Sequence, residues 1–171
     1  AFISNFPQLR RLYVNGSHIS SVPADLLHAV PLLELLDLSA NGLKVIPVNF
    51  FTHTLHLRHI NLSSNRLTAI FFFFCDLSEL GYFACADNPS LKRLPEDFLS
   101  AAKGLQVFNV ARCCSLADLP DSFMSAEHRV LSYFVASDTG LSWSGLQAML
   151  SRCPALKRVV APEMPESSLV V

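Results

Sequence analysis

Leu33-Glu34-Leu35-Leu36-Asp37-Leu38-Ser39-Ala40-Asn41-Gly42-Leu43 returns 24 residues later as Leu57-Arg58-His59-Ile60-Asn61-Leu62-Ser63-Ser64-Asn65-Arg66-Leu67. Leucine or isoleucine holds positions one, four, six and eleven of the stretch, and asparagine holds position nine. The spacing of positions four and six is that of a β-strand, where every second side chain faces the same way. The phase continues outward on both sides. Copies open at Leu9, Leu33, Leu57, Leu80, Leu105, Leu131 and Leu156, in steps of 24, 24, 23, 25, 26 and 25 residues. A period in this range marks a stacked array of small units, with length changes absorbed in outer loops.

Each slot has a physical reason. Positions four and six form the pairs Leu12/Val14, Leu36/Leu38, Ile60/Leu62, Phe83/Cys85, Phe108/Val110, Phe134/Ala136 and Val159/Ala161, and every member is apolar. No unit can bury that face alone, so stacking on neighbours must remove it from water. Each large side chain so buried contributes about 1.5–3 kcal/mol. Position nine turns the chain out of the strand and must satisfy stranded backbone groups. Asn41, Asn65 and Asn88 suit that task, Ser17, Cys113 and Thr139 substitute less well, and Met164 marks an atypical last unit. Four copies run on into Val22-Pro23, Ile46-Pro47, Leu94-Pro95 and Leu119-Pro120. Proline followed by acid, as in Pro95-Glu96-Asp97 and Pro120-Asp121, reads as a helix start. The outer returns are therefore expected to be short helices or single helical turns, with a fuller helix over Ser144 to Arg152.

The phrase L-x-x-L-x-L-x-x-N-x-L resembles the leucine-rich-repeat family, over nearly the whole chain. Arg152-Cys153-Pro154-Ala155-Leu156 is similar to the closing phrase of its longer, helix-backed subtypes. The resemblance implies an α/β solenoid, curved into an arc of about seven repeats, with a parallel β-sheet on the concave face and short helices and turns on the convex face. It also implies protein partners on the concave sheet. The expected organisation is one leucine-rich-repeat domain over residues 1–171, with 1–8 the tail of a preceding repeat and 165–171 a C-terminal tail. Phe2 to Pro7 shows no recognisable cap. The expectation is a fragment of a longer array, or a subunit whose ends partners cover.

Composition narrows the function classes. The chain is 51% hydrophobic and 16% charged, with a net charge of −1. Its lysines and arginines are scattered, which argues against direct binding of nucleic acid. The longest apolar run, Leu67 to Cys75 with Thr68 inside it, is far short of the roughly 18 residues that read as a membrane span. Five cysteines, Cys75, Cys85, Cys113, Cys114 and Cys153, form no paired framework, so an intracellular, reducing compartment is expected. Asn15-Gly16-Ser17 and Asn61-Leu62-Ser63 match glycosylation sequons, but they fall where strand turns favour Asn and Ser.

Catalysis requires a nucleophile, a base and a stabilising donor converging in a pocket, and no residues are spaced that way. The six glycines do not cluster. Cys113 occupies the turn slot and Cys114 the loop beside it, a structural arrangement. His53, His56 and His59 suggest a metal run, yet His59 lies on a strand and His53 on a return, so one tetrahedral site is not expected. No catalytic, cofactor-binding or metal residues are nominated.

Binding residues can be nominated by register. Outward positions three and five put Arg11, Tyr13, Tyr82, Val107, Tyr133, Val135, Arg158 and Val160 on the concave sheet, an apolar strip with arginine at each end. Aromatic and arginine side chains are the usual anchors of protein interfaces. A second surface lies on the convex side, where Phe71-Phe72-Phe73-Phe74 replaces Pro47-Val48-Asn49-Phe50 and Pro95-Glu96-Asp97-Phe98 of sibling units. Phe74 aligns with the core member, leaving Phe72 and Phe73 to dock on a neighbouring subunit. The expected function is a non-catalytic protein-interaction or scaffold module, an accessory subunit of a larger assembly. The alternatives are a recognition domain of a multidomain regulator (ubiquitin-ligase adaptor, phosphatase regulator or signalling enzyme) and a secreted or surface receptor ectodomain. Replacing Phe72 and Phe73 with Ser is expected to leave the melting temperature unchanged and to weaken assembly. A large drop in melting temperature of the isolated protein would assign both rings to the core.

Overall fold

Paired apolar positions four and six make a strand that is short, because only three residues lie between the two turns. A computed structural model describes residues 2–71, 77–96, 102–120 and 129–162. It contains β1 (Arg11–Tyr13), β2 (Leu35–Asp37), β3 (His59–Asn61), β4 (Tyr82–Ala84), β5 (Val107–Asn109), β6 (Tyr133–Val135) and β7 (Arg158–Val160). All seven lie in one parallel sheet, in sequence order. The ladder passes through Leu12, Leu36, Ile60, Phe83, Phe108, Phe134 and Val159 without a register slip. The fold is the leucine-rich-repeat solenoid.

The inward pairs fill one continuous core. Leu36, Leu38, Ile60, Leu62, Phe83, Cys85, Phe108, Val110, Phe134 and Ala136 are completely buried. Phe83, Phe108 and Phe134 pack in sequence at centroid separations of 6.1 and 5.8 Å. Leu12, Val14, Val159 and Ala161 are only partly buried, because a terminal strand has a neighbour on one side alone.

Position nine performs the predicted task. Asn65 Nδ2 donates to the carbonyls of Leu38, Leu62 and Ser63, and its Oδ1 accepts from the Leu43 amide at 3.0 Å. Asn88 repeats the pattern with Leu62, Cys85, Ala86 and Leu67. Asn41 donates to Val14, Leu38 and Ser39 and accepts from Ser17 and Ile19. Each amide thereby ties its own strand to the preceding repeat. Cys113 and Thr139 reach only one carbonyl each, those of Cys85 and Ala136. The residue just before this slot is left-handed in repeat after repeat: Gly16, Ala40, Ser64, Asp87, Arg112 and Asp138 have φ between 53° and 64°. Gly16 alone takes that conformation without a steric penalty.

The returns are compact. A 3₁₀ turn spans Leu26–Ala29, and helix α1 spans Trp143–Leu150. The helix was expected over Ser144 to Arg152. It starts one residue earlier because the Ser142 hydroxyl caps it, accepting from the Gly145 amide at 3.2 Å. It ends two residues earlier because Arg152 and Cys153 donate to Met149 and Leu150, a tightened final turn. Asp97, Asp121, Phe98, Phe123, Met164 and the tail 165–171 lie outside the described residues. The buried Asn65 amide makes the clearest stability prediction. Asn65→Ala leaves the Leu43 amide without its partner and removes one of two donors from each of the Leu38, Leu62 and Ser63 carbonyls. It is expected to cost about 1–3 kcal/mol, read as a lower denaturation midpoint with an unchanged slope.

Candidate functional site

Alternation along each strand sets which way its side chains face: position four is inside, so positions three and five lie on the opposite face, where all but Ala84 are at least partly exposed. By register, Arg11, Leu35, His59, Tyr82, Val107, Tyr133 and Arg158 form one row across the sheet. Tyr13, Asp37, Asn61, Ala84, Asn109, Val135 and Val160 form the second. All eight nominated concave residues therefore share one face. Tyr13 and Tyr133 are 59% and 42% exposed. Arg11 and Arg158 are exposed at the two ends, and Tyr82, Val107, Val135 and Val160 are half-buried between them. Phe72 and Phe73, the nominated convex pair, lie outside the described residues, while Phe71 beside them is 47% exposed.

Two features of this face escaped the sequence reading. His59 and Tyr82 stack face to face as parallel rings, with centroids 4.0 Å apart and planes 2° from parallel. Burial pushes the His59 imidazole below its ordinary 6.5, and the Asp37 charge draws it partly back. Burial and then Asp37 raise the Tyr82 phenol. The second feature is a backbone role for position five. Asp37 Oδ1 accepts from the Ser39 amide at 2.9 Å and from the Ser39 hydroxyl at 2.6 Å. Asn61 and Asn109 accept in the same way from the amides of Ser63 and Ala111. These Asx turns close the strand ends. The signal in the sequence was an Asp or Asn at position five in three units, which period and hydropathy do not detect.

Ion pairs run beside the sheet between neighbouring repeats. Arg10 pairs with Glu34, Arg58 and His56 both pair with Glu79, and Arg112 holds Asp87. The hydrogen bonds from His56 and Arg58 hold the Glu79 carboxyl below its usual range. Such exposed pairs contribute little to stability.

The chemistry-bearing side chains disperse. Of the three spaced histidines, His53 contacts His28 with ring centroids 4.0 Å apart, His56 pairs with Glu79, and His59 stacks on Tyr82. Among the described residues, no three His, Cys, Asp or Glu side chains gather to hold a metal ion. Cys113 is buried in the turn slot, and Cys114 is exposed beside it. The Cys113 hydrogen bond and burial push the Cys85 thiol up, and burial pushes Cys153 up to about 11. Both keep their protons at neutral pH. A cavity of about 230 Å³ between α1 and the preceding return is lined by Asp118, Leu119, Leu141, Ser142 and Leu146, with others. Its polar lining includes the Asp118 carboxylate and the Ser142 hydroxyl, and that hydroxyl caps α1. No helix among the described residues is long and apolar enough to cross a membrane.

A family model described as leucine rich repeat matches residues 7–67 and 31–83. No curated protein matches the chain. Among solved structures, a chain of the Toll–Spatzle complex of Drosophila aligns with 98% of this chain at a TM-score of 0.57 and 17% identity. This chain spans 29% of that protein's length. The leucine-rich-repeat domain of the type III effector XopL aligns over 94% of this chain and 71% of its own, with a TM-score of 0.49 and 12% identity. Human trophoblast glycoprotein aligns over 88% and 76%, with a TM-score of 0.46 and 19% identity.

The half-buried His59 gives the face a pH dependence. Unfolded, the imidazole titrates near 6.5, and folded it titrates lower. Just below that pH the unfolded chain therefore binds more protons, so stability rises with pH through the window and is lost as acid is added. His59→Gln is expected to flatten this slope, which denaturation midpoints measured across the window would reveal.

Proposed function

We propose that this chain, whose fold is that of leucine-rich-repeat proteins and whose residues 7–83 match that family's model, is a non-catalytic protein-interaction or scaffold module, an accessory subunit of a larger assembly. Leucine-rich-repeat solenoids commonly mediate protein–protein interaction, because stacking leaves one broad sheet face for a partner. One observation carries the reading: Tyr82, Val107, Tyr133, Val135 and Val160 lie side by side on the outer face of a rigid ladder. A side chain held there loses little rotamer freedom on binding, which favours affinity. Tyr13 and Arg11 extend the surface at one end and Arg158 at the other.

An intracellular, reducing setting goes with this proposal. Cys113 serves the position-nine turn as a thiol donor and Cys85 serves as core packing, both uses that depend on the reduced form. Protein partners that are neighbouring subunits of a complex, rather than nucleic acid, suit a face that is mostly apolar.

The test compares two proteins purified from their native source at modest salt, the wild type and Tyr82→Ser/Tyr133→Ser. Losing two aromatic anchors is expected to weaken retention of the co-purifying protein by at least about tenfold, with a nearly unchanged melting temperature. Wild-type retention by the double variant would overturn the concave assignment.

A further inference from the structure

At position five of the repeat, the backbone task needs no charge. Asn61 and Asn109 perform it with a neutral amide oxygen, at 3.1 and 3.0 Å from the amides of Ser63 and Ala111. Asp37 performs it at 2.9 Å from Ser39. The negative charge of Asp37 is thus surplus to the turn. It is also the one acid among the fourteen residues at positions three and five of the seven strands.

Asp37 is half-buried, and its other contacts are the Ser39 hydroxyl and, at 3.4 Å, the Asn61 amide. Among the described residues no cation forms an ion pair with it. Arg10 on the neighbouring repeat is taken by Glu34, and Arg11 lies across from Leu35 rather than Asp37. A partly desolvated carboxylate without a counter-ion invites one.

The surroundings specify what kind. Tyr13 lies directly across the ladder from Asp37 and is well exposed. On the other side, beginning one strand further on, His59 and Tyr82 stack face to face as parallel rings. Aromatic rings attract cations, and a guanidinium both stacks on a ring and matches a carboxylate, which a compact ammonium does less well. We propose that the β1–β4 end of the concave face receives an arginine side chain of the protein partner, with Asp37 as its counter-ion and Tyr13, His59 and Tyr82 as its aromatic surroundings. The inference rests on the concave reading above and names the chemistry its partner must bring.

The experiment titrates N-acetyl-arginine amide into the isotopically labelled full chain and follows the resonances of Asp37, His59 and Tyr82. N-acetyl-norleucine amide serves as the uncharged comparison. Saturable shifts at these three residues are expected with the arginine probe and not with the norleucine probe. In Asp37→Asn, whose side chain keeps the turn as Asn61 and Asn109 do, the affinity is expected to fall about tenfold. Absence of shifts, shifts spread equally over Glu34, Asp118 and Asp138, or an unchanged affinity in Asp37→Asn would overturn the inference. The two probes can be compared on the wild type alone, so the result does not depend on the variant folding. If the probe fails while Tyr82→Ser/Tyr133→Ser still releases the native partner, only the arginine assignment falls. If that double variant also keeps its partner, the concave reading falls with it.

Discussion

A three-residue strand has one apolar face and no means of covering it. Everything else in this molecule answers that constraint. Each repeat covers the face of its neighbour, and the chain becomes an array in which Leu36 needs Leu12 and Ile60 beside it. Burial is complete in the middle and partial at Leu12 and Val159, as a one-dimensional stack requires. The asparagines of position nine enforce the same dependence in polar terms. Asn65 donates to Leu62 of its own repeat and to Leu38 of the repeat before, so no repeat satisfies its turn alone.

The interior was legible in the sequence because two periodicities coincide there. The 24-residue step placed the strands, and alternation within each strand separated Phe83 and Cys85 from Tyr82 and Ala84. The asparagine slot was legible for the same reason: one residue type at one phase of the repeat implies one backbone task. The helix limits were less so. They depend on Ser142, a capping hydroxyl before the periodic segment, and on a tightened last turn that no side chain announces.

The binding face was legible only as a list. Register put eight residues on one surface, but it treated Asp37 and His59 as background because neither is apolar. What distinguishes them is neighbourhood. His59 matters through the ring of Tyr82 on the next strand, 23 residues away in sequence, and Asp37 matters through the absence of charge at Asn61 and Asn109. Comparison of siblings inside the repeat carries that information, while hydropathy averages it out.

The same comparison separates structural from functional demands along the whole face. Where several repeats place the same residue type at one position, as with asparagine at position nine, the fold explains it. Where one repeat departs from its siblings without a local reason, the fold does not. Cys113 departs at position nine but still donates to a carbonyl, so its departure is absorbed by the turn. Asp37 departs by a full charge that its bonds to Ser39 do not require, and its second oxygen accepts a long 3.4 Å contact from Asn61. The stack tolerates it because position five faces outward, where a buried charge would have cost the core several kcal/mol. A solenoid can therefore change its surface chemistry one repeat at a time while the ladder beneath stays the same, and the concave face is where such changes accumulate.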